Sequence, residues 1–175
     1  DAQPIQLLNA TIIPEFDDLS TYPTFEISTT DKKDWWKMFV LKDPEFTNET
    51  MSIPKLGQNI IVYVLDSGIE LTHTEFENRP VSFLHSFNND FSDQNGHGTA
   101  IASIITGKSV GITNSQVKAI KIFDDNTPTF QSDLIQALDV IGQDFMSSPE
   151  DYALVNCSWS IPKNSFIEQK MLHLI

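Results

Sequence analysis

Residues 59–68 read NIIVYVLDSG, and this segment indicates the class of fold. Over residues 59–65 the side chains are almost all apolar and several are β-branched. Such a composition is typical of a central strand that is covered on both faces. The polar run Asp66-Ser67-Gly68 follows at once. We therefore expect the carboxylate of Asp66 at the carboxyl end of a buried strand, where open α/β sheets carry their functional groups.

Beyond this strand, the chain alternates between strand-like and helix-like segments. Strands are predicted over residues 116–123 and 152–158, with a further extended segment over 80–87. Helices are predicted over His97–Thr106 and 132–146, and a capping box of Ser165 and Glu168 predicts the start of another. The alternation predicts an α/β fold with a parallel sheet flanked by helices. We expect this sheet to be incomplete at its C-terminal side.

The sequence changes character near Gly57. Residues 1–56 contain five prolines that interrupt any long helix, and they are predicted to form an irregular N-terminal arm. The one apolar stretch in this arm, residues 34–41 (DWWKMFVL), either anchors the arm or forms an interaction surface, and we favour anchoring. Residues 57–175 are predicted to form the domain proper.

The composition argues against several classes of partner. The chain has 24 acidic and 11 basic residues, for a formal net charge of −13. A surface this acidic repels phosphate backbones, so nucleic acid is a poor candidate partner. No apolar run approaches the length of a membrane span. The single cysteine, Cys157, excludes an internal disulfide and is predicted to be a buried, inert thiol.

A histidine flanked by glycines, in residues 95–99 (NGHGT), opens the first predicted helix. The glycines leave the imidazole of His97 uncrowded. A buried Asp that binds this ring fixes its tautomer, and the other ring nitrogen can then take a proton from a serine hydroxyl. Alone, Asp66 could be an ordinary turn residue and His97 a local helix cap. Their order and placement together favour a catalytic pair.

These segments resemble the first half of the subtilisin family (subtilases) of serine peptidases, in particular its proteinase-K-like branch. The resemblance runs from Gly57 to about Pro162. It rests on LDSGIE at residues 65–70, NGHGT at 95–99, KIFDDN at 121–126 and VNCSW at 155–159. It implies a serine endopeptidase in which Asp66 and His97 are catalytic, and peptide or protein substrates.

The resemblance also implies a substrate cleft between two segments. Its contact residues would be Thr127, Thr129, Ser158, Trp159 and Ser160. Both segments depart from the family pattern, which is richer in glycine, because residues 127–130 read TPTF and residues 160–162 read SIP. Bulkier walls suggest a restricted specificity, or a degenerate subtilase-like protein that binds without cleaving.

The family's serine nucleophile lies in a Gly-Thr-Ser segment, and this sequence contains no such segment. Ser158 and Ser160 match the cleft strand instead. We therefore expect this chain alone to be inert and unstable, and the remaining C-terminal half of the domain to be a partner. An alternative class, a nucleotide-binding α/β enzyme, is disfavoured because no phosphate-binding glycine loop follows the first strand.

No cofactor is required by this chemistry. The resemblance allows calcium, but no ligands are assigned. His73 and Glu75 lack the spacing of helical metal ligands, so no metal site is predicted. Two glycosylation sequons, at Asn9 and Asn48, favour the secretory pathway and a secreted or vacuolar protein, whereas a third at Asn156 lies in a predicted buried strand.

Overall fold

The computed structural model describes residues 24–28, 50–124, 129–150, 152–162, 164–172 and 174. Within them, four parallel strands form one sheet: β3 (Ile60–Asp66), β4 (Val81–Ser86), β5 (Gln116–Lys121) and β6 (Tyr152–Asn156). Their order across the sheet is β4–β5–β3–β6. The helices are α1 (His97–Thr106), α2 (Gln131–Met146) and α3 (Ser165–Leu172). The predicted α/β architecture, a parallel sheet flanked by helices, is confirmed.

Strand β3 lies inside the sheet and is buried on both faces, as its continuous apolar sequence predicts. Ile61, Tyr63 and Leu65 point to one face, where they pack against α2 and α3. Val62 and Val64 point to the other face, in a cluster that includes Ala102 of α1. Because helices cover both faces, the end of β3 is held rigidly at one edge of the sheet.

Helix α2 buries one stripe of apolar side chains. Leu134, Leu138 and Ile141 are almost fully buried, Ala137 joins them, and Phe145 packs at the margin. These residues recur every three or four positions, which places them on one face of a helix.

Helix α1 has the predicted bounds but a different buried face. Gly98, Ala102 and Thr106 are its buried residues, four positions apart, whereas Ile104 is 41% exposed. The sequence places Ala100, Ile101, Ile104 and Ile105 on adjoining faces of this helix. The buried positions are the small residues, and Ile101 and Ile105 pack, partly buried, against the same cluster.

Three predicted boundaries need correction. Strands β5 and β6 end at Lys121 and Asn156, two residues earlier than predicted. Helix α3 is capped by Asn164, whose Oδ1 accepts the backbone N–H groups of Phe166 and Ile167, at 2.9 and 3.2 Å. The predicted capping box on Ser165 is therefore wrong by one residue, because Asn164 is the N-cap and Ser165 is the first residue of the helix.

Part of the N-terminal arm is regular. Strands β1 (Thr24–Ser28) and β2 (Thr50–Pro54) pair antiparallel, with Thr24 opposite Pro54. Both segments alternate polar and apolar residues, a pattern that favours a strand and that the irregular assignment overlooked. The domain boundary near Gly57 remains a prediction, and residues 34–41 lie outside the described residues.

Strand β6 is the outer strand on its side of the sheet and exposes apolar side chains. Tyr152 and Leu154 are 60% and 61% exposed. Among the described strands, β6 therefore presents an apolar outer edge. Across the described ranges, none of the helices has the length and apolar character to cross a membrane.

Candidate active site

The carboxylate of Asp66 ends β3 inside the protein and is 2% exposed. The backbone N–H of Ser67 donates to its Oδ1 at 2.8 Å. The backbone carbonyl of Asp66 accepts the N–H groups of Ile122 and Phe123, at 2.9 and 3.3 Å, where the chain leaves β5. Two neighbouring strands therefore fix the backbone of Asp66, and its side chain is held in place at the carboxyl edge of the sheet.

The imidazole of His97 lies directly against this carboxylate. Its Nδ1 is 2.7 Å from Oδ1 of Asp66. An ionised carboxylate only accepts hydrogen bonds, so Nδ1 carries the proton and Nε2 of the neutral ring carries the lone pair. The His97 side chain is 48% exposed, so a group can approach its free side from solvent. This is the arrangement in which an Asp orients a general base.

The second oxygen of Asp66, Oδ2, is buried and has no hydrogen-bond partner among the residues that the structure describes. The carboxylate is thus bonded through Oδ1 alone, by one backbone N–H and one imidazole. A desolvated anion bonded in this way interacts strongly with a positive charge on the ring. It therefore stabilises the imidazolium that forms when His97 removes a proton.

Two glycines allow α1 to begin next to β3. A Cβ on Gly98 would lie 2.1 Å from the carbonyl oxygen of Gly68 and 3.1 Å from Cβ of Asp66. Gly68 itself has a φ of 109°, which disfavours residues with a Cβ. Gly98 is thus required by close packing, whereas a Cβ on Gly96 would meet nothing within 4 Å. Gly96 is favoured by its φ of 86° instead, so space beside the imidazole, the role predicted for both glycines, explains neither of them.

A second carboxylate, Asp93, lies beside the pair. It accepts the Ser67 hydroxyl at 2.8 Å, the Gly96 N–H at 2.8 Å, and both the N–H and the hydroxyl of Thr99, at 2.9 and 2.5 Å. Burial acts to raise the pKa of Asp93, but these hydrogen bonds outweigh it and hold that pKa below its ordinary value. Asp93 is therefore an anion at neutral pH.

A buried ammonium group binds the loop that leads to Asp93. Lys121, the last residue of β5, is 1% exposed, and its Nζ lies 2.7 Å from the carbonyl oxygen of Ser92. The carboxylates of Asp90 and Asp124 are each 3.3 Å from this nitrogen. The roles of Lys121 and Asp93 were not predicted from the sequence. The available signals were a lysine at the end of an otherwise apolar strand and an Asp shortly before a helix start.

An apolar pocket of about 210 Å³ opens where β5 and β6 end. Thr129 and Phe130 form one wall, and Trp159, Ile161 and Pro162 form the other. Its remaining lining residues come from the end of β5 and from helices α2 and α3: Ile122, Phe123, Gln131, Leu134 and Ile167. Because parallel strands end at one edge of a sheet, the pocket shares this edge with Asp66.

The predicted cleft residues separate into three groups. Thr129 and Trp159 line the pocket; the Thr129 hydroxyl donates to the Ile122 carbonyl at 2.7 Å, and the Trp159 indole N–H donates to the Leu65 carbonyl at 2.7 Å. Ser158 and Ser160 are exposed but do not line it. Thr127 lies outside the described residues.

The remaining candidate groups show structural roles. The ring of His73 accepts the Glu75 N–H at 3.2 Å and so caps a short 3₁₀ turn, Thr74–Phe76. No three His, Cys, Asp or Glu side chains in the described ranges form a group that could hold a metal ion, and calcium remains without assigned ligands. Cys157 is partly buried, and burial beside the Asp66 carboxylate raises its thiol pKa to about 11. A thiol with so high a pKa is a poor nucleophile.

Comparison with known proteins places this geometry in context. A model of the Subtilase family matches residues 57–171. A cuticle-degrading protease of Metarhizium anisopliae is 37% identical over 90 residues, which cover 50% of this chain and 23% of the relative. Subtilisin-like protease 2 of Trichophyton rubrum is 34% identical over 109 residues, which cover 61% of this chain and 26% of the relative.

Solved structures share the fold. A cold adapted subtilisin-like serine proteinase superposes with a TM-score of 0.59 at 23% identity, covering 69% of this chain and 44% of that chain. The patellamide maturation protease PatA gives a TM-score of 0.55 at 23% identity, over 68% and 45% of the two chains. The chain thus spans about a quarter of the length of the curated relatives and under half of these solved chains.

Proposed function

This chain belongs to the subtilase family of peptidases, and we propose that the full-length protein is a serine endopeptidase. One observation carries the proposal: Nδ1 of His97 lies 2.7 Å from the buried carboxylate of Asp66. Asp66 keeps the ring in the tautomer whose Nε2 accepts a proton. His97 is then the general base for a serine hydroxyl and later the general acid for the leaving amine.

The nucleophile is proposed to come from a further segment of the same domain. Ser158 is not a substitute, since its hydroxyl donates to Oδ1 of Asn156 at 2.9 Å rather than to His97. The exposed edge of β6, with Tyr152 and Leu154, is the surface on which that segment would complete the sheet. We expect this chain alone to be inactive, because loss of the serine in such a triad lowers turnover by about 10⁶.

The substrate is proposed to be a peptide whose apolar side chain enters the pocket between Phe130 and Trp159. The pocket walls are apolar, and Phe130 and Ile161 are 62% and 39% exposed, so an apolar side chain would cover them. Pro162 provides no backbone donor for an extended peptide. These walls support a restricted specificity, which cleavage of a peptide library by the full-length protein would measure. Equal cleavage of unrelated peptides would contradict it.

The direct test of the function uses a serine-directed fluorophosphonate probe on the full-length protein. We expect labelling of one serine, cleavage of casein, and loss of both in His97→Ala. The matched control is His73→Ala, which removes an exposed imidazole that only caps a turn. Labelling that survives in His97→Ala, or that is lost equally in His73→Ala, would refute the role of His97.

A second candidate function is peptide binding without cleavage. The bulky cleft walls, including Ile161 and Pro162, are the observation that favours it. In that case the full-length protein would bind apolar peptides in a calorimeter, yet it would neither cleave them nor react with the probe.

Secretion is proposed from the sequons at Asn9 and Asn48 and from the similarity to a cuticle-degrading protease. Glycosidase treatment of the protein from its native source should lower its apparent mass. An unchanged mass, together with recovery of the protein in the cytosol, would contradict this placement.

A further inference from the structure

Helix α1 carries His97 on its first residue but cannot cap its own start. The N-cap residue is Gly96, which has a φ of 86° and no side chain, and the next two residues are His97 and Gly98. A helix start without a capping side chain leaves backbone N–H groups without partners and frays readily. Fraying here would move the imidazole away from Asp66.

Two side chains of the preceding loop supply the missing cap: Asn95, whose Oδ1 accepts the His97 N–H at 3.2 Å, and Asp93, which binds N–H groups on both sides of it. One oxygen of Asp93 accepts the Gly96 N–H at 2.8 Å, and the other accepts the Thr99 N–H at 2.9 Å. These two N–H groups lie on either side of His97 in the sequence. The Thr99 hydroxyl also donates to Asp93 and accepts the Glu70 N–H at 2.9 Å, which joins the helix start to the loop after β3.

The same carboxylate also binds the Asp66 side of the pair. The Ser67 hydroxyl has one proton, and its oxygen lies 2.8 Å from Asp93 but 3.3 Å from Asp66. That hydroxyl in turn accepts the Gly98 N–H at 3.0 Å. Its proton is therefore directed to Asp93, and Oδ1 of Asp66 is left to the Ser67 N–H and the imidazole.

We propose that Asp93 is a positioning residue that holds the His97 imidazole against Asp66 by clamping the backbone on both sides of the pair. Its hydrogen bonds go to backbone N–H groups and hydroxyl groups around the pair rather than to the imidazole. Its effect on turnover rests on the proposed peptidase function, whereas its effect on the Asp66–His97 hydrogen bond does not.

The test compares Asp93→Ala with Arg79→Ala in the full-length protein. Arg79 binds the opposite end of the same helix, since its guanidinium donates to the carbonyl and the hydroxyl of Thr106, to the Thr113 carbonyl and to Oδ1 of Asn114. Both substitutions loosen α1, but only Asp93→Ala releases the end that carries His97. Peptide cleavage and melting temperature are measured for each variant, with assays well below both melting temperatures.

We expect Asp93→Ala to lower kcat by about 10²-fold with KM within about twofold, because small displacements of a catalytic group have effects of this size. Asp93→Asn, which keeps one acceptor oxygen, should recover part of that loss. Arg79→Ala should lower the melting temperature and leave kcat within about threefold of wild type. Equal losses of kcat in the two alanine variants, or no loss in Asp93→Ala, would overturn the assignment.

A second readout does not require peptidase activity. In the ¹⁵N-histidine-labelled protein, the Nδ1 proton of His97 should give a downfield NMR signal that weakens through faster solvent exchange in Asp93→Ala and persists in Arg79→Ala. If the wild type cleaves nothing but shows this pattern, the proposed function fails and the positioning role stands. An unchanged signal in Asp93→Ala overturns the positioning role even if the protein is an active peptidase.

Discussion

Replacement of Lys121 by Met should be strongly destabilising, even though it removes a buried charge. The ammonium is 1% exposed and has three oxygen neighbours, from Ser92, Asp90 and Asp124. Met fills a similar volume but donates nothing. Asp124, 9% exposed, then loses a cation, although it keeps the hydrogen bond of 3.2 Å from the amide of Asn88.

The expected cost follows from which carboxylate stays buried. Removal of one partner of a buried pair costs about 3–5 kcal/mol. Asp90 is 47% exposed and can return to water, whereas Asp124 is 9% exposed and loses the cation beside it while it keeps the hydrogen bond from Asn88. We therefore expect the free energy of unfolding to fall by about 3 kcal/mol in Lys121→Met, at the lower end of this range.

Urea denaturation of the full-length protein measures this change as a shift of the denaturation midpoint, when the slope of free energy against urea concentration is the same for both proteins. The double variant Lys121→Met/Asp124→Asn should be more stable than Lys121→Met by about 1 kcal/mol or more, because it neutralises the carboxylate that has lost its cation. A cost below about 1 kcal/mol in Lys121→Met, or a double variant less stable than the single one, would refute the reasoning.

Three further predictions test separate contacts. The buried Tyr63 hydroxyl donates to Asp144 at 2.6 Å, so Tyr63→Phe should cost about 1.5–3 kcal/mol in urea denaturation, and a neutral effect would contradict the importance of this bond. Gly98→Ala forces a Cβ against the Gly68 carbonyl and should cost about 1–3 kcal/mol and lower kcat, whereas Gly96→Ala meets no atom within 4 Å and should be destabilised only by backbone strain at its φ of 86°. Because the pKa of Asp93 is lowered in the folded state, its stabilising contribution is present above its ordinary value of 3.8 and is lost as pH falls below it. The stability gap between wild type and Asp93→Ala, followed by thermal melts, should therefore narrow in acid, and a gap that widens would reverse the sign of this argument.

The sequence predicts elements whose pattern is local. The continuous apolar run of residues 59–65 identifies β3. The glycines that flank residues 97–106 identify the start and end of α1. The pairing of Asp66 with His97, 31 positions apart, was also predicted, because residues at a strand end and at a helix start are brought to the same sheet edge by the α/β fold.

Features that depend on tertiary contacts were not predictable in this way. The buried face of α1 consists of Gly98, Ala102 and Thr106, and Ile101 and Ile105 pack beside it only partly buried. At Gly98 even a Cβ would lie 2.1 Å from the carbonyl oxygen of Gly68. Hydropathy alone assigns that face to the larger side chains. Asp93 and Lys121 have ordinary local contexts, and each combines near partners along the chain with distant ones, Ser67 for Asp93 and Ser92 for Lys121, that hydropathy cannot reveal.

The most direct test of the account is a crystal structure of the full-length protein labelled with a fluorophosphonate. We predict that the label is bonded to a serine within hydrogen-bond distance of Nε2 of His97. Nδ1 of the same ring should still lie about 2.7 Å from Oδ1 of Asp66. A label on a serine remote from His97, or a ring rotated away from Asp66, would contradict it.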